Sequence, residues 1–100
     1  MSQPKTVLCL LIDGFEEIEL IAPVDLLRRA GARVTMASVT GAESHVGRCE
    51  VVIRADARLT DVADEPFDLL LIPGGPGVKA LRGDGRAAEL VLKFARAGKP

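Results

Sequence analysis

The segment Thr6–Ile12 (TVLCLLI) constrains this chain more than any other. It is an unbroken run of aliphatic and β-branched residues, closed abruptly by Asp13–Gly14. A strand exposed on one face alternates apolar and polar side chains; a run with no polar break reads as a strand covered on both faces. That pattern belongs to parallel sheets with a helix layer on each side. Two further apolar runs, Arg33–Val39 (RVTMASV) and Leu69–Ile72 (LLLI), read as companion strands.

Helical patterning fills the gaps between them. A helix is predicted from about Phe15 to Ala30, with Arg28 and Arg29 in its last turn and Gly31 at its C-terminal stop. Pro23 interrupts it, so either the helix is kinked there or its main part begins at Pro23. Residues 40–48 read as a loop or hairpin tip. Val51–Ile53 reads as a short strand partnered near Val46, and Thr60 as the cap of a one-turn helix stopped by Pro66. Asp84 is the expected N-cap of a helix reaching Ala97. Its apolar face is Ala87, Leu90, Val91 and Phe94; Glu89 and Lys93 form an i,i+4 pair on its polar face. Strands alternating with helices imply an α/β fold with an open parallel sheet and helices on both faces. Three strands and two helices would leave one sheet edge and one apolar face uncovered.

Charge and length exclude several functions. Thirteen Lys and Arg against fourteen Asp and Glu leave a net charge of −1, with no basic excess for nucleic acid. No apolar run approaches the roughly 20 residues that span a bilayer. The first run is too short for a signal-peptide core, which predicts a cytoplasmic chain. Cys9 and Cys49 match no zinc or redox spacing. Cys9 reads as a small core residue, whereas Cys49 lies in a polar stretch where a reactive thiol is an open alternative. His45, the single histidine, reads as solvated surface.

Ligands of open α/β sheets bind beyond the carboxyl ends of the strands, and two loops lie there. The first, residues 13–19, carries Asp13, Glu16, Glu17 and Glu19. Acidic residues favour a helix N-terminus, but Glu19 sits a full turn in, where partial burial would raise its pKa and make it a proton donor. The second is Pro73–Gly74–Gly75–Pro76–Gly77. Glycines directly after a buried strand bring backbone N–H groups close to a ligand and can stabilise an oxyanion. Gly75, Gly77 and Ala80 also fit G-x-G-x-x-A, a dinucleotide fingerprint. Against that stand Pro76 and the lack of an acidic residue about 20 positions on.

The segments D-G-F-E-E-I-E (13–19), A-P-V-D (22–25), R-R-A-G (28–31) and F-D-L-L-L-I-P-G-G (67–75) resemble the ThiJ/PfpI (DJ-type) family over nearly the whole chain. The P-G-G turn is shared with class I glutamine amidotransferase domains. The resemblance implies a flavodoxin-like domain of about twice this length, of which residues 1–100 are the N-terminal half, usually as a homodimer. It implies a cysteine nucleophile on a strained elbow beyond residue 100, so neither Cys9 nor Cys49 takes that role. Glu19 matches the glutamic acid that hydrogen-bonds the cysteine sulfur, and Gly75, with Gly74 beside it, the backbone side of the oxyanion pocket. Glu16, Asp25 and Arg29 match dimer-contact positions. The implied activity is on small reactive carbonyls or their adducts, glyoxalase III- or deglycase-like, with neither metal nor organic cofactor. Its partners would be a carbonyl substrate, a second copy and a C-terminal fragment of the same protein. The alternatives are a redox-responsive stress protein or chaperone of the same fold, and a dinucleotide-binding module.

Overall fold

A computed structural model describes residues 3–100. The apolar run forms β1 (Thr6–Leu11), one of the two inner strands of a parallel sheet. On one side β1 pairs with β2 (Arg33–Ser38), Cys9 opposite Met36. Two other strands, β3 (Ser44–Val46) and β4 (Val52–Arg54), form an antiparallel hairpin with Val46 opposite Val52. The two-residue β5 (Ala57–Arg58) borders β2, and β6 (Leu69–Leu71) borders β1 on its other side. The order is β5-β2-β1-β6, one strand more than three apolar runs suggest. Sequence periodicity is blind to β5, because two residues carry no period.

Alternate residues of β1 feed two cores, as the unbroken run requires. Leu8, Leu10 and the following Ile12 pack with Leu59, Phe67, Leu81, Ala87, Leu90 and Phe94. Val7, Cys9 and Leu11 pack with Phe15, Leu20, Val24 and Val34. The second core is closed by α1 (Glu17–Arg29) and the first by α2 (Leu59–Val62), α3 (Val78–Arg82) and α4 (Gly85–Arg96), so helices lie on both faces. Burying one Leu of this kind contributes about 1.5–3 kcal/mol, so the two-sided strand is a large contributor to stability.

Several expectations are corrected. The helix α1 runs continuously through Pro23 and starts at Glu17, because Phe15 turns inward and is buried before the helix begins. Proline has no N–H for the Glu19 carbonyl, so one helical bond is missing while the element continues. Thr60 lies inside α2; the N-cap is Arg58, and the helix ends before Pro66. Asp84 caps α4 as expected, accepting from the Arg86 and Ala87 N–H groups. Val91, assigned to the apolar face, is 46% exposed, and Lys93 donates to the Ala63 carbonyl at 3.2 Å instead of pairing with Glu89. The short α3 follows the glycine-rich turn, where five residues are too few to show a period.

The edge strand β6 is fastened to β1 by polar groups. Asp68 accepts from the Thr6 N–H at 2.8 Å and its hydroxyl at 3.2 Å. On the side away from β1, the Leu70 N–H donates to the Pro100 carbonyl at 3.0 Å. Among the described residues, no helix is long and apolar enough to cross a membrane.

Candidate active site

The carboxyl ends of β1 and β6 bring the two sequence-predicted loops together. The Glu16 N–H donates to the Gly74 carbonyl at 2.8 Å, and the Gly77 N–H donates to the Gly14 carbonyl at 3.1 Å. Gly75 has φ of +112°, and a Cβ there would lie 2.6 Å from the Gly14 carbonyl oxygen and 2.7 Å from the Glu16 nitrogen. Only glycine lets the chain turn at that approach.

Glu19 projects over this turn. A Cβ on Gly74 would lie 2.7 Å from Glu19 Oε1, so the missing side chain is what makes room for the carboxyl. Among the described residues, the N–H groups of Gly74 and Gly75 have no hydrogen-bond acceptor. A carboxyl group beside two free backbone donors can exchange a proton with a substrate oxygen and hold the negative charge that develops on it. Glu19 is exposed, against the expectation of partial burial. The same glycine packing argues against the dinucleotide fingerprint. Gly75 and Gly77 lie against the backbone of residues 13–16, so the close approach these glycines permit is taken by the chain itself.

The buried carboxylate of the acidic loop is Glu17. Its Oε2 accepts from the Cys49 N–H at 2.8 Å and the Val51 N–H at 3.2 Å. Burial pushes the Glu17 carboxyl up, but its own N–H, those of Val51 and Cys49, and the Arg48 charge outweigh this and hold it below 4.5. Two aspartates lie below their ordinary value of 3.8, Asp68 through the Thr6 N–H and Asp84 through the Arg86 side chain. Groups with depressed folded pKa values stabilise above the unfolded value and lose that contribution as pH falls through the folded one. The urea midpoint is therefore expected to fall as pH drops below 4.5, and less steeply in Glu17→Gln. A midpoint independent of acid pH in the unaltered chain would refute this.

The other predicted residues are placed as follows. Glu16 accepts from Arg48 Nη1 at 3.1 Å, and Arg29 pairs with Asp25 one turn away at 3.0 Å. Both members of the second pair are exposed on α1. Cys9 is fully buried, and burial pushes its thiol up to about 12. Cys49 is exposed. Iodoacetamide is expected to label Cys49 alone in the folded chain and both thiols after denaturation; a native adduct on Cys9, located by peptide mass, would refute the placement.

Sequence reasoning missed His45. It is 1% exposed, not solvated: Nδ1 lies 2.9 Å from Asp13 Oδ1 and Nε2 lies 2.7 Å from Ser38 Oγ. No local signal could reveal this, because the Asp13 partner is 32 positions away. Among the described residues, no group of three or more His, Cys, Asp or Glu is placed to hold a metal ion.

Fold and site together define an α/β protein whose carboxyl and glycine turn meet at the strand ends. Residues 5–100 match the DJ-1/PfpI family, and the chain belongs to it. It is 36% identical over 94 residues to Protein dj-1beta of Drosophila melanogaster, covering 94% of this chain and 50% of that one. It is 34% identical over 97 residues to Protein/nucleic acid deglycase 2 of Escherichia coli (strain K12), covering 96% and 56%. The crystal structure of the Drosophila DJ-1beta superposes with a TM-score of 0.94 at 35% identity, over 97% of this chain and 53% of that chain. The chain spans about half the length of these two curated relatives.

Proposed function

We propose that this chain supplies the acid and backbone-donor side of a DJ-1/PfpI-type site acting on small reactive carbonyls or their adducts. The observation that carries this reading is the Glu19 carboxyl lying over Gly74, beside two N–H groups without an acceptor. In this reading residues 1–100 are the N-terminal half of one such domain. The nucleophilic cysteine lies in the other half, seated against the outer edge of β6. Its thiolate adds to the carbonyl carbon, and the C=O electron pair moves onto oxygen. The Gly74 and Gly75 N–H groups hold that oxygen, and the Glu19 carboxyl delivers the proton that neutralises it. No metal or organic cofactor is needed for these steps. The deglycase named among the relatives supports the substrate class.

The same reading includes a homodimer through α1 and the β3–β4 hairpin. In support, Ile18 (75% exposed), Leu26, Val46 and Val52 present apolar surface there, beside the Glu16–Arg48 and Asp25–Arg29 pairs. The test is methylglyoxal consumption by the protein at full family length and by its Glu19→Gln variant. A positioned acid–base group contributes on the order of a hundredfold or more, so the variant should lose that much turnover. Equal rates would remove Glu19 from the chemistry.

A further inference from the structure

We infer that Asp13, His45 and Ser38 form a hydrogen-bonded relay, buried at its histidine and serine and open at its aspartate, that positions the glutamate–glycine site. The inference rests on the functional reading above and adds three positioning residues to it.

For an ionised carboxylate and a neutral ring, one arrangement of the relay's hydrogens fits both contacts. An ionised Asp13 carboxylate has no hydrogen, so at 2.9 Å the proton belongs to His45 Nδ1. In a neutral ring Nε2 then carries a lone pair, and at 2.7 Å it accepts the Ser38 hydroxyl hydrogen. Ser38 Oγ in turn accepts from the Gly41 N–H at 2.9 Å. That tautomer satisfies both ring nitrogens of His45 and the Ser38 hydroxyl, in a place where an unmet group is costly.

The order Asp–His–Ser is that of a hydrolytic triad, but this serine is no nucleophile. Ser38 is 1% exposed and its oxygen is already occupied by Gly41. The relay instead works on the backbone around it. Asp13 Oδ1 also accepts from the Val46 N–H at 3.1 Å, and the Val46 carbonyl accepts from the Gly14 N–H at 2.8 Å. The Arg48 N–H adds a bond to the Phe15 carbonyl at 2.9 Å. The hairpin is thus tied to residues 13–15, and residues 14–16 are tied to Gly74 and Gly77. His45 is the buried peg of the first set of bonds. It acts on Gly74 and Glu19 through the segment both sets share.

The test uses the isotopically labelled chain and two readouts besides activity. Imidazole nitrogen spectra should show a pyrrole-type Nδ1 and a pyridine-type Nε2, opposite to the tautomer that free imidazole side chains favour. Amide exchange should then be followed in Asp13→Ala, whose side chain is 73% exposed, so that its loss leaves the cores intact. The Glu16 and Gly77 amides should exchange about tenfold faster, the loss of roughly one hydrogen bond, while the β1 amides stay unchanged. His45→Asn, which keeps a donor near the Nδ1 position, should protect those amides better than His45→Phe. An Nε2–H tautomer, an exchange change spread evenly over the chain, or no change at all would overturn the relay. These readouts are independent of turnover. Equal rates in Glu19→Gln beside a local exchange effect would remove the functional reading and leave the mechanical link standing.

Discussion

Gly75→Ala is expected to lower the stability of the chain by about 2–5 kcal/mol, through two additive causes. The first is conformational: a non-glycine residue in the left-handed region costs roughly 1–2 kcal/mol, and Gly75 sits at φ of +112°. The second is steric, since the new methyl would meet the Gly14 oxygen at 2.6 Å, the Glu16 nitrogen at 2.7 Å and the Phe15 carbonyl carbon at 3.0 Å. All three are backbone atoms held by cross-loop hydrogen bonds, so no side chain can swing aside. Overpacking of this kind costs about 1–3 kcal/mol. Gly85→Ala is the internal control. Nothing lies within 4 Å of a Cβ there, and the position opens α4, so alanine should be neutral or stabilising by up to about 1 kcal/mol. Urea unfolding of the two variants side by side reads the difference. A Gly75→Ala loss below about 1 kcal/mol would mean that the turn is not locked as described.

Phe15→Ala is the second large effect, expected at about 3–5 kcal/mol. The ring is 1% exposed and belongs to the core built on Val7, Cys9 and Leu11. Removing it takes away a large buried apolar surface and leaves a cavity that the sheet and α1 cannot close. It also loosens the chain between β1 and α1, where the Phe15 carbonyl accepts from Arg48 and the next N–H binds Gly74. Phe15→Leu keeps most of the volume and should lose less than about 2 kcal/mol. The discriminating measurement combines a denaturation midpoint with thiol labelling. Phe15→Ala should admit reagent to Cys9 well before the global transition, and Phe15→Leu should not. Protection of Cys9 unchanged in both variants would place Phe15 outside that core.

The parts legible in the sequence are those carried by local pattern. The unbroken apolar run of β1 announced a strand covered on both faces, Asp84 announced the start of α4, and Asp13–Gly14 and Pro73–Gly77 announced the two loops at the strand ends. Parallel sheets assemble their sites at those ends, so the meeting of the acidic loop with the glycine turn followed from topology. The family and its fold were legible from the D-G-F-E-E-I-E and P-G-G segments together, and the match over residues 5–100 agrees. What stayed hidden depends on distant partners. The polar neighbourhood of His45 in sequence says nothing about Asp13 or Ser38 closing over it. Among four carboxylates in one short loop, the buried one is Glu17, chosen by N–H groups at positions 49 and 51 that no helical wheel contains. The exposure of Val91 and the missing Glu89–Lys93 pair show the converse. A helical pattern identifies a face, while its neighbours decide how wide that face is and where a lysine reaches.

The two-sided burial of β1 also bears on how its alignment is specified. In a strand with one wet face, sliding by a residue would expose the whole apolar set, and the pattern itself forbids the error. Here a slip would only exchange Leu8 and Leu10 for Val7, Cys9 and Leu11, apolar for apolar, so hydrophobicity discriminates weakly between alignments. The alignment is written instead at the two ends of the strand: Asp68 receiving both hydrogens of Thr6 at the start, and the Gly14–Gly77 and Glu16–Gly74 bonds just past the finish. The polar clasps that assemble the candidate site therefore also serve as the ruler of the sheet.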